Sequence, residues 1–173
     1  DEYGQVGNGL PLADVTTPIP VTSGVAFTAI SAGDFHSAAL DINGNIWAWG
    51  YDGSGEVGNG DAAIAAEVPV PQQITSGTTF ERIALGRESS TALDAEGNLW
   101  SWGYDGIQQL GNGPGTANVT APTQITSGTR FIVVDIGTWH AAALDSEGRL
   151  WAWGQNSGDR LGNGVAVTGT AVD

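Results

Sequence analysis

The chain repeats itself, and the repeat leaves few architectures open. Gly-Asn-Gly stands at 7–9, 58–60, 111–113 and 162–164. Trp-Gly stands at Trp49-Gly50, Trp102-Gly103 and Trp153-Gly154, and Thr-Ser-Gly at 22–24, 75–77 and 126–128. All three markers recur with a period of 51 to 53 residues, which divides the chain into units 10–60, 61–113 and 114–164. Residues 1–9 match the close of a preceding unit, and 165–173 match the start of a following one. A fixed period of this size marks one supersecondary unit that buries its apolar surface by stacking on its neighbours.

Within a unit the pattern is that of strands. In the third, 122–126 forms a short segment ending in a Gly turn, and 131–136 is rich in β-branched residues. A small-residue strand follows over 139–144, and 150–154 carries Trp151 and Trp153. The last two are joined by Asp145-Ser146-Glu147-Gly148, a hairpin turn with Gly where positive φ is needed. Asp41-Ile42-Asn43-Gly44 and Asp94-Ala95-Glu96-Gly97 repeat it. No stretch sustains a helical period. Four short strands in a unit of this length are a propeller blade. The sequence thus predicts an all-β fold of three four-stranded antiparallel β-propeller blades, part of a larger or oligomer-completed ring. Trp47 with Trp49, Trp100 with Trp102 and Trp151 with Trp153 are two apart, so each pair shares one strand face. Their regular recurrence reads as inter-blade core, because ligand platforms are irregular.

These residues carry a family resemblance. Gly33-Asp34-Phe35-His36-Ser37-Ala38-Ala39-Leu40 resembles the Gly-x-x-His-Ser-x-Ala-Leu signature of regulator-of-chromosome-condensation repeats. Trp-Gly followed eight residues later by Gly58 resembles that family's Trp-Gly-x-Asn-x-x-Gly-Gln-Leu-Gly, matched at Asn156, Leu161 and Gly162 and at Gln109, Leu110 and Gly111. Gly4-Gln5-Val6-Gly7 resembles the tail of the same motif. The chain departs from the pattern at Ser89 in place of His, at Asp52 and Asp105 in place of Asn, and at the Gly-Gln step, which reads Gly55-Glu56, Gln108-Gln109 and Asp159-Arg160. The resemblance covers nearly the whole chain. It implies a propeller, typically of seven blades, that serves as a protein-binding scaffold, in a bacterial or extracellular type of member or a fragment of one. The founder's role as a chromatin-bound exchange factor does not suit this charge.

There are 19 Asp and Glu against five Arg and no Lys, a formal net charge of -14. Nucleic-acid binding rests on clustered Lys and Arg that release counterions, and anionic membranes repel the same surface. No apolar stretch approaches the roughly 18 residues that span a bilayer. The acidity and the missing Lys point to an extracellular or cell-surface setting. With no Cys, disulfides and zinc thiolates are excluded.

Candidate catalytic groups are few. His36 and His140 occupy one repeat position, which reads as a structural hydrogen-bonding role, since a catalytic His stands once beside a nucleophile and an acid. No nucleophile elbow, metal helix or phosphate loop occurs. Asp52-Gly53-Ser54-Gly55-Glu56 spaces oxygens as a calcium loop does but lacks the full pattern, and turn chemistry accounts for it. No catalytic residue, metal or cofactor is assigned. Asn118-Val119-Thr120 is a glycosylation sequon in an inter-blade loop.

Two short stretches vary between units while their surroundings stay fixed. One is Asp34-Phe35, Arg87-Glu88 and Thr138-Trp139; the other is Tyr51-Asp52, Tyr104-Asp105 and Gln155-Asn156. A constant frame with free positions is the pattern of a specialising surface, so these are the candidate partner-binding residues. Phe35 and Trp139 are the aromatic anchors. The favoured reading is a non-catalytic module that binds protein, either a separate partner or identical subunits. An inhibitor plugging an extracellular enzyme and a carbohydrate-active propeller enzyme are the alternatives, the last without an acid–base pair to name. Three blades leave sheet faces of roughly 300 Å² unpaired. The chain is therefore expected to be a fragment of a longer propeller, a homodimer of six blades, or a head-to-tail stack.

Overall fold

The computed structural model describes residues 1–10, 14–61, 67–115 and 117–164; the segment 165–173, read above as the start of a following unit, lies outside them. The described residues form eleven strands and no helix. Blade one is β1 (Phe27–Ala32), β2 (His36–Asp41), β3 (Ile46–Tyr51) and β4 (Glu67–Gln73). Blade two is β5 (Phe80–Leu85), β6 (Ser89–Asp94), β7 (Leu99–Gly103) and β8 (Val119–Gln124). Blade three contains β9 (Phe131–Ile136), β10 (His140–Asp145) and β11 (Leu150–Gly154). Strands pair antiparallel in sequence order within each sheet.

The sheets are offset from the sequence units. The segment 122–126, taken from the pattern as the opening strand of unit three, falls largely in β8, which pairs with β7 of blade two through Trp100↔Gln124 and Gly103↔Val119. The physical reason is locality. After the first two Trp-Gly loops the chain folds back beside the strand it has left, so blades one and two take their outer strands from the following units.

Each sheet keeps the same register. His36 faces Gly50, Ser89 faces Gly103 and His140 faces Gly154. The second strands, HSAALD and SSTALD in the first two blades, are buried along their whole length. Their small side chains let neighbouring blades close on both faces. The core follows the blade junctions: Leu40, Ile46, Trp49, Val57, Leu85 and Trp102 pack in one cluster, and Leu93, Leu99, Phe131 and Val134 in the next.

Glycine sets the spacing at two repeat positions. A Cβ on Gly33 would strike the carbonyl oxygen of Gly86, and one on Gly86 would lie 2.6 Å from that of Gly137, so the inner strands meet backbone to backbone. A Cβ on Gly7, Gly58 or Gly111 would lie 2.5, 2.6 or 2.8 Å from Nε1 of Trp49, Trp102 or Trp153. Gly58 and Gly60 share a positive φ, 84° and 82°, but Gly60 has open space where its Cβ would go. Both Ala variants therefore carry the left-handed backbone cost of about 1–2 kcal/mol. Gly58→Ala is expected to lose a further 1–3 kcal/mol, roughly, by displacing the indole. Urea denaturation of the two variants side by side measures the difference, and equal midpoints would refute the role given to the close approach.

Candidate functional site

The two Trp of each pair do different work. The first belongs to its own blade: Trp47, Trp100 and Trp151 each donate Nε1–H to the hairpin aspartate Asp41, Asp94 or Asp145, at 3.2, 2.9 and 2.9 Å. Each also stands edge-on to Phe27, Phe80 or Phe131 with centroids 6.1, 5.6 and 5.8 Å apart. The second reaches across a junction. Trp49, Trp102 and Trp153 donate Nε1–H to the main-chain carbonyls of Gln5, Glu56 and Gln109 at 2.9, 2.9 and 3.0 Å.

His36 and Ser90 have the spacing of a base and a nucleophile, with His36 Nε2 2.8 Å from Ser90 Oγ, but not the chemistry. Ser90 donates its hydroxyl proton to the Glu56 carbonyl, so His36 Nε2 must be the protonated nitrogen and donor. Both side chains are closed to solvent, and His36 Nδ1 has no orienting acid. Burial lowers the His36 pKa to about 3, which keeps it neutral. His140 is half-buried and is shifted down by burial, with Arg160 adding to the effect. Among the described residues no three His, Asp or Glu side chains gather as a metal site.

The candidate partner-binding residues divide sharply. Asp52, Asp105 and Asn156 are buried, at 2%, 0% and 1% exposure, and do not present a surface. Each turns its side-chain oxygen inward to accept the amide N–H five residues on, from Val57, Leu110 or Leu161, and so closes the loop after Trp-Gly. That corrects the reading of these three as contact residues. Thr138 and Asp34 are exposed, and Gln155 holds Arg160 Nη1 through its own Oε1 at 2.6 Å.

The remaining candidates converge. In every blade a backbone hydrogen bond joins the two variable stretches: Tyr51 N–H to the Phe35 carbonyl, Tyr104 to Glu88, and Gln155 to Trp139, at 2.9, 2.8 and 2.8 Å. The side chains then link across blades. Tyr3 packs edge-on to Phe35 and Tyr51 with centroids 5.4 and 5.0 Å apart. The Arg87 guanidinium lies 5.3 Å from the Phe35 ring and 5.0 Å from the Trp139 ring, and Trp139 meets Tyr104 at 6.3 Å. Glu88 Oε1 approaches Arg87 Nε at 3.4 Å. One half-buried aromatic ladder with a clamped cation at its centre thus runs along the rim of all three blades. Tyr3 was not among the sequence candidates. Its signal was available, since the sister positions Ser54 and Ile107 differ from it and from each other while the motif beside them is constant.

The family model for the regulator of chromosome condensation (RCC1) repeat matches residues 1–40, 43–93 and 96–144. The chain belongs to this family. A second model of the RCC1 repeat matches 27–56 and 131–158. The mitochondrial RCC1 domain-containing protein RUG3 of Arabidopsis thaliana is 34% identical over 80% of this chain and 31% of its own length. The ultraviolet-B receptor UVR8 of the same plant is 29% identical over 95% of this chain and 38% of its own. The chain therefore spans about a third of the length of these relatives. Human WBSCR16 superposes with a TM-score of 0.76 at 20% identity, over 88% of this chain and 40% of that one. Yeast RCC1 (Prp20), solved bound to Kap60, gives 0.71 at 25% identity over 80% and 34%.

The RCC1 motif places Gln before its final Leu-Gly, as at Gln109 and, before Val-Gly, at Gln5, and this chain puts Glu56 at the junction of blades one and two. The frame treats the two alike: Gln5, Glu56 and Gln109 each accept the amide N–H two residues back, at 2.9, 2.7 and 3.1 Å. The second oxygen of Glu56 is left buried without a donor, as is one oxygen of Asp52. Burial, with Asp52 and Glu88 nearby, pushes the Glu56 pKa up to about 7. Its folded state binds a proton that the unfolded chain releases near 4.5, so stability falls as pH rises from 4.5 to 7. Asp41 has the opposite sign. Hydrogen bonds, foremost from Asn45, hold it at about 2, so its contribution is lost as pH drops from 3.8 toward 2. Stability is expected to peak between these windows, near pH 4–5. Glu56→Gln should flatten the upper limb and stabilise the protein at pH 8 by roughly 3 kcal/mol. Thermal melts of both proteins across pH 3–8 measure this, and parallel curves above pH 5 would remove Glu56 from the account.

Proposed function

We propose that this RCC1-repeat module is a non-catalytic protein-binding scaffold that receives its partner on the rim formed by Tyr3, Phe35, Tyr51, Arg87, Tyr104 and Trp139. The observation that carries this reading is the convergence of those side chains. Loops at equivalent positions of successive blades, otherwise alike, send aromatic rings and one arginine into a single ladder. Aromatic and arginine side chains are the types enriched where binding energy concentrates. Arg87 is clamped between two rings, so fewer of its rotamers are lost on association. The crystal structure of Prp20p concerns its binding to Gsp1p and histones, and that of yeast RCC1 holds Kap60. A protein partner is therefore in keeping with relatives, and the net charge of -14 favours a cationic one. The same Lys-free, acid-rich composition supports a secreted or cell-surface setting.

A second copy as the partner has one observation of its own. Ile30 on β1 is 73% exposed, whereas Ile83 at the same position of β5 packs into the blade-one core. The β1 face is thus a blade-stacking surface, suited to a further blade of a longer chain or of another molecule.

Photo-crosslinking separates these readings. A benzophenone amino acid placed at Trp139 should give a protein adduct in extracts of the native host, and one at Ile42 on the opposite rim should not. Arg87→Ala should reduce the Trp139 adduct about tenfold or more, as loss of a central anchor does. Equal adducts at both positions would sink the rim assignment, and light scattering shows whether the partner is a second copy.

A further inference from the structure

At the opposite end of the sheets a groove of about 290 Å³ opens between blades two and three. Its floor is Leu93 and Phe131, both buried, and its walls include Arg82 of β5 and Arg130 just before β9. The backbone underneath is fixed: Phe131 N–H donates to the Gly97 carbonyl at 2.8 Å, and Ser146 N–H to the Arg130 carbonyl at 2.9 Å. Arg130 Nη1 donates to the Glu96 carbonyl at 2.9 Å, which holds its guanidinium across the mouth.

The repeat supplies an internal control. The strand registers Ala29↔Leu40 and Arg82↔Leu93 put Ala29 at the place of Arg82 in the equivalent groove between blades one and two. Thr79, which precedes Phe80 as Arg130 precedes Phe131, takes the place of Arg130. The frame therefore needs neither arginine. This chain has five arginines, no lysine and 19 carboxylates. Yet among the described residues neither Arg82 nor Arg130 forms an ion pair with any of them. Asp94 does not compete, since its oxygens are taken by the amides of Glu96 and Asn98, the Asn98 side chain and Trp100.

We propose that this groove binds a carboxylate presented by a short acidic peptide segment. Arg82 and Arg130 take the carboxylate by charge-assisted hydrogen bonds. The apolar floor takes a flanking aliphatic side chain. Glu81 and Glu96 on the lip complete the match, because they accept hydrogen bonds from peptide N–H groups and repel a phosphate dianion more strongly than a singly charged carboxylate. The site is independent of the aromatic rim and stands whether or not that rim binds a partner.

The test is titration of the whole ¹⁵N-labelled chain, followed by amide shifts, with a capped tripeptide of glutamate between two leucines. Shifts are expected at 95–97 and 131–132, with the glutamine counterpart binding at least about tenfold more weakly. Arg82→Ala and Arg130→Thr each install the residue that the sister groove already carries, and Arg82→Gln keeps the side-chain length. All three should abolish the shifts while leaving the remaining spectrum in place, and Arg87→Ala on the other rim should change nothing. Equal affinity for the glutamine peptide, unchanged binding in the arginine variants, tighter binding of inorganic phosphate or free succinate than of the peptide, or no shifts at millimolar peptide would each overturn the proposal.

Discussion

Blades two and three are each locked to the blade before, and blade one to the segment 1–9, by an indole N–H that reaches a main-chain carbonyl, and the rest of the structure is arranged around that bond. Trp102 can reach the Glu56 carbonyl only because Gly58 leaves room for the ring. The carbonyl is in place only because Asp52 closes its loop on Val57. Ser90 adds a second donor to the same oxygen, and His36 supports Ser90. A buried carbonyl with two donors is fully satisfied, which an apolar junction requires of its main chain. The third junction is thinner, since Ala141 stands where Ser37 and Ser90 stand in the other blades and Trp153 alone donates to Gln109.

Three copies of one frame in one chain act as their own comparison. Gln5 and Gln109 show what the junction needs from the side chain at this place, which is one acceptor for an amide two residues back. Glu56 meets that need and adds a buried titratable oxygen that the frame does not use. The hairpin aspartates are the contrasting case. Asp41, Asp94 and Asp145 collect donors from the backbone and from Trp on both oxygens, and their pKa values go down although burial alone would raise them. Carboxylates of one chain thus move in opposite directions according to the count of donors around them, and burial by itself predicts the rise of Glu56 but not the fall of the hairpin aspartates.

Much of this was legible in the sequence, for a reason that also marks the limit. Period, strand count, hairpin turns and the family resemblance follow from residue types that tolerate few alternatives, such as Gly under an indole or Asp in a turn. The stretches that vary between units line one rim. That variation could not separate neighbours within a stretch. Tyr51 and Asp52 differ by one position, yet one ring joins the surface ladder and the other side chain is sealed in the loop. That outcome is set by the bond from the Val57 amide, five residues on, which periodicity does not register. The blade boundary was missed for a similar reason. Sequence period fixes the length of a repeat but not its phase, and the phase was decided by β8 folding back on β7.

The same frame explains how two rims diverge without disturbing each other. At one rim the variable stretches are joined by backbone hydrogen bonds, Tyr51 to Phe35 and Tyr104 to Glu88, so side chains are free to change while the loops hold. At the other the hairpin aspartates are saturated by their own turns, and the residues around them are equally free. Three arginines follow this division: Arg87 sits among rings on one side, and Arg82 and Arg130 wall a groove on the other. Arg149 pairs with the hairpin aspartate Asp145, and Arg160 stands at the repeat position of Gln5, Glu56 and Gln109. Structure is carried by main chain, glycine, tryptophan and short polar side chains. Arg82, Arg87 and Arg130 are left to the surfaces, where a substitution alters what is bound and leaves the blade stack as it was.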